Sequence, residues 1–497
     1  MSAKALMFMG TGSDVGKSLI VAGLCRAFLR RGLKVVPFKP QNMSNNAAIT
    51  KDGGEIGRAQ ALQARAAGLE PISAMNPILL KPEHDSGAQI IVRGQRLTSM
   101  PAKEYFASRL KFLPAAITAF EELAKDADLV LVEGAGSASE INLRPNDIAN
   151  FGFARALNIP SVIIGDIERG GVIASLYGTI KVIDEDDRAL IVASLINRFR
   201  GDPLLFEEGK RQIAILTSLP CLGPIPFFGD AGFLPAEDIL GLDGSEKNID
   251  KSIIKIGVPL LPRIANFDDF DPLIAQPGVD LQFIDPGQVI PADLDLIIIP
   301  GSKTTRADLG FLKTQGWDID IKSHYRRGKK ILGICAGFQM LGQTIADPFA
   351  IEGEAGISDG LGLLQVETNL SERKQLRTEK AKDQKFGLPL NGFHMHMGAT
   401  KGPDCNNGFS IASNVAEGAV SADGLVFGTY LHGVFAMDEF RQKFLADLVD
   451  DQLAQFNYQQ RVEEVLDELA EHLEQYLDLD ELLKLARPPV QTNKTGA

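Results

Sequence analysis

Two short segments of this chain carry residues whose types and order could do chemistry. The first is Gly10-Thr11-Gly12-Ser13-Asp14-Val15-Gly16-Lys17-Ser18, which follows an apolar run and precedes an amphipathic one. Glycines there let backbone N–H groups converge on phosphate oxygens, and the start of a helix adds partial positive charge. Lys17 then reaches the β- and γ-phosphates of ATP, and Ser18 is suited to hold Mg2+. The standard loop has glycine where Thr11 stands, so Gly10 and Gly12 make this a variant. A triphosphate site also needs a carboxylate at the end of a neighbouring strand to hold the metal. Glu133, which closes the apolar run Leu129-Val130-Leu131-Val132, is the expected one; Asp52, in the turn Lys51-Asp52-Gly53-Gly54, is a second.

The other segment is Gly333-Ile334-Cys335-Ala336-Gly337-Phe338-Gln339, after the strand pattern Lys330–Ile334. Glycines on both sides of Cys335 permit the sharp strand-to-helix turn that projects a nucleophile above a sheet, and a helix N-terminus favours the thiolate. Cys25 and Cys221 read as structural, and Cys405 as incidental. A thiol nucleophile needs a base, and His432, at the end of Gly428-Thr429-Tyr430-Leu431, is the best placed of the six histidines. His394 and His396 alternate on one strand with no third metal ligand in view, while His84, His324 and His472 read as surface or loop residues.

These loops must be held by strands and helices. In the first half, short apolar runs (Ala5–Met9, Lys34–Phe38, Leu129–Val132, Ser161–Ile164, Ile191–Ile196) alternate with helical patterns such as Lys17–Arg31, which implies α/β units around a mostly parallel sheet. The expected domains are a nucleotide-binding domain over 1–235, an acidic linker over 236–251, and a second α/β domain over 252–440. The second domain has strands near Ile254–Val258, Leu281–Ile284, Leu294–Ile299 and Lys330–Ile334, and becomes β-rich from Leu361 to Tyr430. Acidic helices and a polar tail over 441–497 are expected to pack on the second domain.

The bulk numbers agree. A chain of 497 residues exceeds one core, and a net charge of −13 argues against a nucleic-acid surface. Four scattered cysteines make a disulfide framework improbable and point to the reducing cytoplasm. The apolar start reads as a first buried strand rather than a leader, and no apolar run approaches the roughly 18 residues of a membrane span.

A thiol that attacks an amide and a site that activates ATP make sense in one chain if glutamine supplies ammonia and ATP turns a carboxylate into an acyl phosphate. The residues alone go no further than that. The phosphate loop, Phe38-Lys39-Pro40-Gln41-Asn42-Met43-Ser44-Asn45-Asn46, Gly53-Gly54-Glu55-Ile56-Gly57-Arg58-Ala59-Gln60, the Glu133 strand end, Gly165-Asp166-Ile167-Glu168-Arg169-Gly170-Gly171, the Cys335 elbow and Tyr430-Leu431-His432-Gly433 together resemble the cobyric acid synthase family over nearly the whole chain.

The resemblance implies a dethiobiotin synthetase-like phosphate-loop domain followed by a class I glutamine amidotransferase-like domain. It implies glutamine- and ATP-dependent amidation of the b, d, e and g carboxylates of a corrin, adenosylcobyrinic acid a,c-diamide. Gly301 and Ser302, with the N–H of Ala336, would form an oxyanion hole. Gln339 would contact glutamine and Lys39 the corrin. In triad versions of such glutaminases a Glu follows the His by two residues; Val434 stands there, so the group orienting His432 is left unassigned. Where the family commonly shows Gly-Tyr-Glu-Ile-His, this chain has Gly392-Phe393-His394-Met395-His396. An a,c-diamide synthase, or an ATPase with a non-catalytic glutaminase-like module, would share parts of this pattern. Neither partner nor oligomeric state beyond these small molecules is implied.

Overall fold

Apolar runs bounded by glycine or proline become the strands of two separate parallel sheets. The computed structural model describes residues 3–84, 87–235, 253–449 and 453–491. The expected linker, 236–251, lies outside the described residues. Contacts divide the chain into a first unit (1–44, 50–244 and 462–497) and a second (45–49 and 245–461).

In the first unit six parallel strands lie in the order Cys221–Leu222, Ile191–Asn197, Ser161–Asp166, Lys4–Gly10, Leu129–Ser137, Val35–Phe38. Lys4–Gly10 is central, so Ala5, Met7, Phe8 and Met9 are wholly buried, as an apolar strand covered on both faces must be. Chain order reverses on its two sides, and the phosphate loop leaves its C-terminal end at this switch point. A smaller sheet of Gln41–Met43, Ile78–His84, Gly87–Val92 and Gln95–Pro101 carries a buried ion pair, Lys81 Nζ to Glu55 Oε2 at 2.9 Å. Its other side packs Ile78, Leu80 and Ile90 against Tyr105, Phe112 and Ile148.

The acidic helix Tyr458–Tyr476 corrects the expected packing of the C-terminus. From Val462 onward it belongs to the first unit, lying along the helix Lys17–Arg30. Leu469 and Leu473 press on Gly23, where a Cβ would come within 2.5 Å of Leu473. Arg26 and Arg65 meet Glu463, Arg30 meets Glu471, and Arg31 meets Glu474 and Asp480. The acidic residues of this helix thus meet the basic side chains of Lys17–Arg30 and Arg65. Past this helix, Arg487 bridges to Ala5 beside the central strand.

The second unit has its own sheet in the order Val279–Ile284, Ile254–Pro259, Leu296–Ile299, Lys330–Ile334, Val426–Thr429, Ala419–Val420, all parallel except the last pair. Beside it runs a second sheet dominated by the long antiparallel pair Glu367–Asp383 and Pro389–Lys401, whose edge neighbour is Leu431–His432. His324 is not a surface residue. It is fully buried, with Nε2 3.1 Å from the Lys330 carbonyl, and desolvation pushes its imidazole down to about 4. Among the described residues no helix is long and apolar enough to cross a membrane.

Candidate functional site

The phosphate loop is shaped by what its glycines allow. At Gly10 a Cβ would sit 2.7 Å from the Gly12 carbonyl oxygen and 3.0 Å from Lys17 Nζ, so no side chain fits. This explains how the variant works with Thr11 at the usual glycine position: the crowding falls one residue earlier. Gly16 has φ of 90° and caps the helix Lys17–Arg30. Lys17 Nζ donates to the carbonyls of Gly12 (2.8 Å), Ser13 (2.9 Å) and Gly136 (3.0 Å), which holds the ammonium across the mouth of the loop. Asn197 Nδ2 braces the loop from a neighbouring strand end by donating to the Val15 carbonyl at 2.8 Å.

Glu133 lies beneath this loop with no exposed surface. Its Oε1 accepts from Ser18 Oγ at 2.7 Å and from Lys39 Nζ at 2.9 Å, and its Oε2 from Gln63 Nε2 at 2.6 Å. A buried carboxylate needs such compensation. The Ser18 hydroxyl and Glu133 carboxylate form a hard-oxygen pair of the kind that Mg2+ takes, directly or through water. Lys39, read from the sequence as a corrin contact, is itself buried on Glu133, so any contact it makes with an acceptor carboxylate is made from inside the phosphate site. Asp52 is engaged elsewhere. Its carboxylate accepts from Ser73 Oγ at 2.5 Å and Ser73 N at 3.1 Å, which ties its turn to the segment at Ser73. Among the described residues no group of three or more His, Cys, Asp or Glu converges as a metal cluster.

The thiol site is built on a strained turn. Cys335 has φ of 53° and ψ of −108° between the strand Lys330–Ile334 and the helix Ala336–Leu341, a conformation that costs roughly 1–3 kcal/mol. It is affordable to the chain only because Gly337 lets the helix start against Ile299, whose carbonyl oxygen would lie 2.0 Å from a Cβ. Cys335 N donates to the Thr429 carbonyl at 2.8 Å, and Sγ lies 3.6 Å from the Met395 carbonyl. Gly301 faces this pair: a Cβ there would be 3.2 Å from His432 Cε1 and 3.7 Å from Cys335 Cβ. Ser302 Oγ donates to Asp308 at 2.6 Å and accepts from Thr304 N at 3.0 Å, so the Gly301-Ser302 turn is pinned. The N–H of Ala336, in the first turn of its helix, is among those that helix geometry leaves without an intrahelical partner.

Sequence reasoning missed the group that orients His432. It is Asp269: Oδ2 lies 2.7 Å from His432 Nδ1, and Oδ1 accepts from Gly433 N at 2.6 Å. Both side chains are almost completely buried. On the other edge of the ring, Nε2 is 3.3 Å from Asn266 Nδ2, and Phe393 stacks on the face at 5.1 Å. Burial alone would lower the imidazole, but the Asp269 carboxylate and Cys335 sulfur outweigh it and push the ring up to about 10. Asp269 precedes His432 by 163 residues, so no local spacing could have exposed it. The only signal was the acidic cluster Asp268-Asp269-Phe270-Asp271 just past a predicted strand end.

His394 and His396 sit 5.7 Å apart, and His396 stacks on Tyr430 at 3.7 Å; burial lowers both rings. Cys25 is wholly buried in the first helix, and desolvation raises its thiol far above the reactive range.

With this geometry in hand, comparison with known proteins is decisive. A family model described as the CobQ/CobB/MinD/ParA nucleotide binding domain matches residues 6–240, and one described as the CobB/CobQ-like glutamine amidotransferase domain matches residues 255–440. A cobyric acid synthase from Bradyrhizobium diazoefficiens is 55% identical over 98% of this chain and 100% of its own length. The chain belongs to the cobyric acid synthase family. Cobyric acid synthases from Cereibacter sphaeroides and Methylorubrum populi are 53% and 54% identical, each covering 97% or more of both chains. The fold is α/β with an N-terminal nucleotide-binding domain and a C-terminal amidotransferase domain, as the motifs imply. The molecule is a glutamine amidotransferase ligase of cobalamin biosynthesis that uses ATP.

Proposed function

We propose that the enzyme amidates the b, d, e and g carboxylates of adenosylcobyrinic acid a,c-diamide, using ammonia made at Cys335 and acyl phosphates made at the phosphate loop. The observation that carries the glutaminase half is the strained Cys335 beside a His432 held by Asp269 at 2.7 Å. The imidazolium keeps the sulfur as thiolate, and the thiolate attacks the glutamine amide carbon. Negative charge passing to the amide oxygen is met by N–H groups of Ala336 and of the Gly301-Ser302 turn. As the C–N bond breaks, His432 gives its proton to the leaving nitrogen, and ammonia departs from a γ-glutamyl thioester. His432 then takes a proton from water, which hydrolyses the thioester to glutamate and restores Cys335. Gln339, one helical turn on from the nucleophile, contacts the bound glutamine.

At the other site the acceptor carboxylate oxygen attacks the γ-phosphorus and ADP leaves. Lys17 and the loop N–H groups stabilise the charge that spreads over the transferred phosphoryl oxygens. Ser18 and Glu133 would hold Mg2+, which would supply positive charge against the phosphates. Ammonia adds to the acyl carbon of the resulting mixed anhydride, phosphate leaves and a proton is lost, giving the amide. The free cysteines support a cytoplasmic setting. Purified protein with glutamine, Mg·ATP and the a,c-diamide is expected to add four successive acid-to-amide mass changes to the corrin. No mass change, or a stop short of four, overturns the assignment of carboxylates.

A further inference from the structure

We propose that Glu352 binds the α-ammonium group of glutamine and so makes the thiol site selective for an amino acid over other primary amides. The proposal rests on the reading that Cys335 attacks glutamine, and it adds a residue that no motif singled out. One helical turn, about 6 Å, separates Cys335 from Gln339 along their helix. Gln339 is fixed beyond it: Nε2 donates to the Met397 carbonyl at 3.0 Å and to Tyr430 OH at 3.1 Å. Its Oε1 lies 3.0 Å from Thr305 Oγ1, which is 3.3 Å from Glu352 Oε1. Glu352 Oε2 accepts from Thr305 N, the first residue of the helix Thr305–Thr314, at 2.6 Å. A continuous path of contacts thus leads from Gln339, on the nucleophile's helix, through Thr305 to the Glu352 carboxylate.

The carboxylate is held there deliberately. Asp347, fully buried, accepts from the N–H groups of Ile351 and Glu352, both at 2.9 Å, which fixes the turn that presents Glu352. Lys303 is the cation that acts on Glu352, and its charge opposes the effect of burial. Desolvation pushes its carboxyl up to about 7, against Lys303 and the Thr305 hydrogen bonds. Thr304, which precedes Thr305 in the chain, is buried, and its hydroxyl has no hydrogen-bond partner among the described residues. A half-buried carboxylate that desolvation raises even beside Lys303 is stabilised by a ligand that brings an ammonium to it. The α-ammonium of glutamine carries three donors for the carboxylate oxygens of Glu352 to accept.

The test compares two amides on the full-length enzyme. One is glutamine; the other is 4-carbamoylbutanoate, which is glutamine without its α-amino group. Ammonia release is measured for wild type, Glu352→Gln and Glu352→Asp, and melting temperature checks the fold. Wild type should prefer glutamine. Glu352→Gln should lose roughly tenfold to hundredfold in kcat/KM for glutamine, mostly through KM, with little change for the analogue, so the preference collapses. Glu352→Asp, which keeps the charge, should recover part of it. Equal losses for both amides, or an undiminished preference in a folded Glu352→Gln, would overturn the proposal. A wild type that hydrolyses neither amide would instead overturn the glutaminase reading on which it stands.

Discussion

Both sites sit where a central parallel strand ends and a helix begins, yet they are assembled in opposite ways. The phosphate site is mostly one stretch, Gly10–Ser18, because phosphate recognition draws on consecutive backbone N–H groups and one helix end. The thiol site gathers Asn266, Asp269, Gly301, Cys335, Met395 and His432 from five places in the chain. Moving a proton requires side chains in line, and each strand end can contribute only one or two of them. A contiguous site is therefore robust in its shape and depends on its charges; a dispersed site depends on the alignment of each contributor.

The two sites should also fail independently, and the largest effects test that. Cys335→Ala is expected to lower glutamine-dependent amidation by about 10^4-fold or more while high ammonia still supports product formation. Loss of both activities would break the division of labour. Lys17→Ala should do the reverse, cutting amidation from either nitrogen source by about 10^3-fold while the enzyme still releases glutamate from glutamine. Paired assays of glutamate and amide decide between them.

A smaller effect sharpens the claim about alignment. Asp269→Asn should lower kcat/KM for glutamine by about 10^2-fold, since the amide can still hold the ring but not its charge. The sign of the pH effect follows from His432. Its proton is retained up to about pH 10 because Asp269 and Cys335 outweigh burial, so the general acid is present through neutrality and activity falls only as that proton is lost. Removing the carboxylate's charge lowers this pKa, so the alkaline limb of the profile should move down towards neutrality. An unmoved limb would mean that Asp269 only packs against the ring.

This contrast also decides what was legible in the sequence. The loop Gly10–Ser18 and the Cys335 elbow depend on neighbours in the chain, and each is where its spacing places it; Glu133, expected at a strand end, instead lies buried in the middle of Leu129–Ser137, because the strand runs on past the apolar run. Five predicted strands of the first sheet and second-unit strands such as Lys330–Ile334 follow from apolar runs buried on both faces, while the two-residue edge strand Cys221–Leu222 is too short to show as one. Asp269 could not be read, because its role exists only once Val426–Thr429 is laid beside Lys330–Ile334 and His432 is carried to the strand end. Lys39 has the chemistry of a substrate contact in the sequence, but its pairing with Glu133 depends on which strands are adjacent, and Val35–Phe38 lies next to Leu129–Ser137.

The smallest expected effect concerns what steadies the contiguous site from outside. The helix Lys17–Arg30 starts at the phosphate loop, and Tyr458–Tyr476 covers its far side with apolar contacts and a ladder of ion pairs. Burial of Leu469 and Leu473, each about 1% exposed, supplies most of the attraction. The ion pairs are partly exposed, with Glu463 at 45% and Glu471 at 64%, so screening leaves each worth little. Arg26→Ala should then cost about 1 kcal/mol at most and lower the melting temperature of the first unit by about 2 °C. Because surface pairs are screened by salt, the difference from wild type should shrink in about 1 M NaCl, where the Debye length falls to about 3 Å. A larger loss that persists in high salt would show that the Arg26 stem and its packing, rather than its charge, hold the helix that presents Lys17.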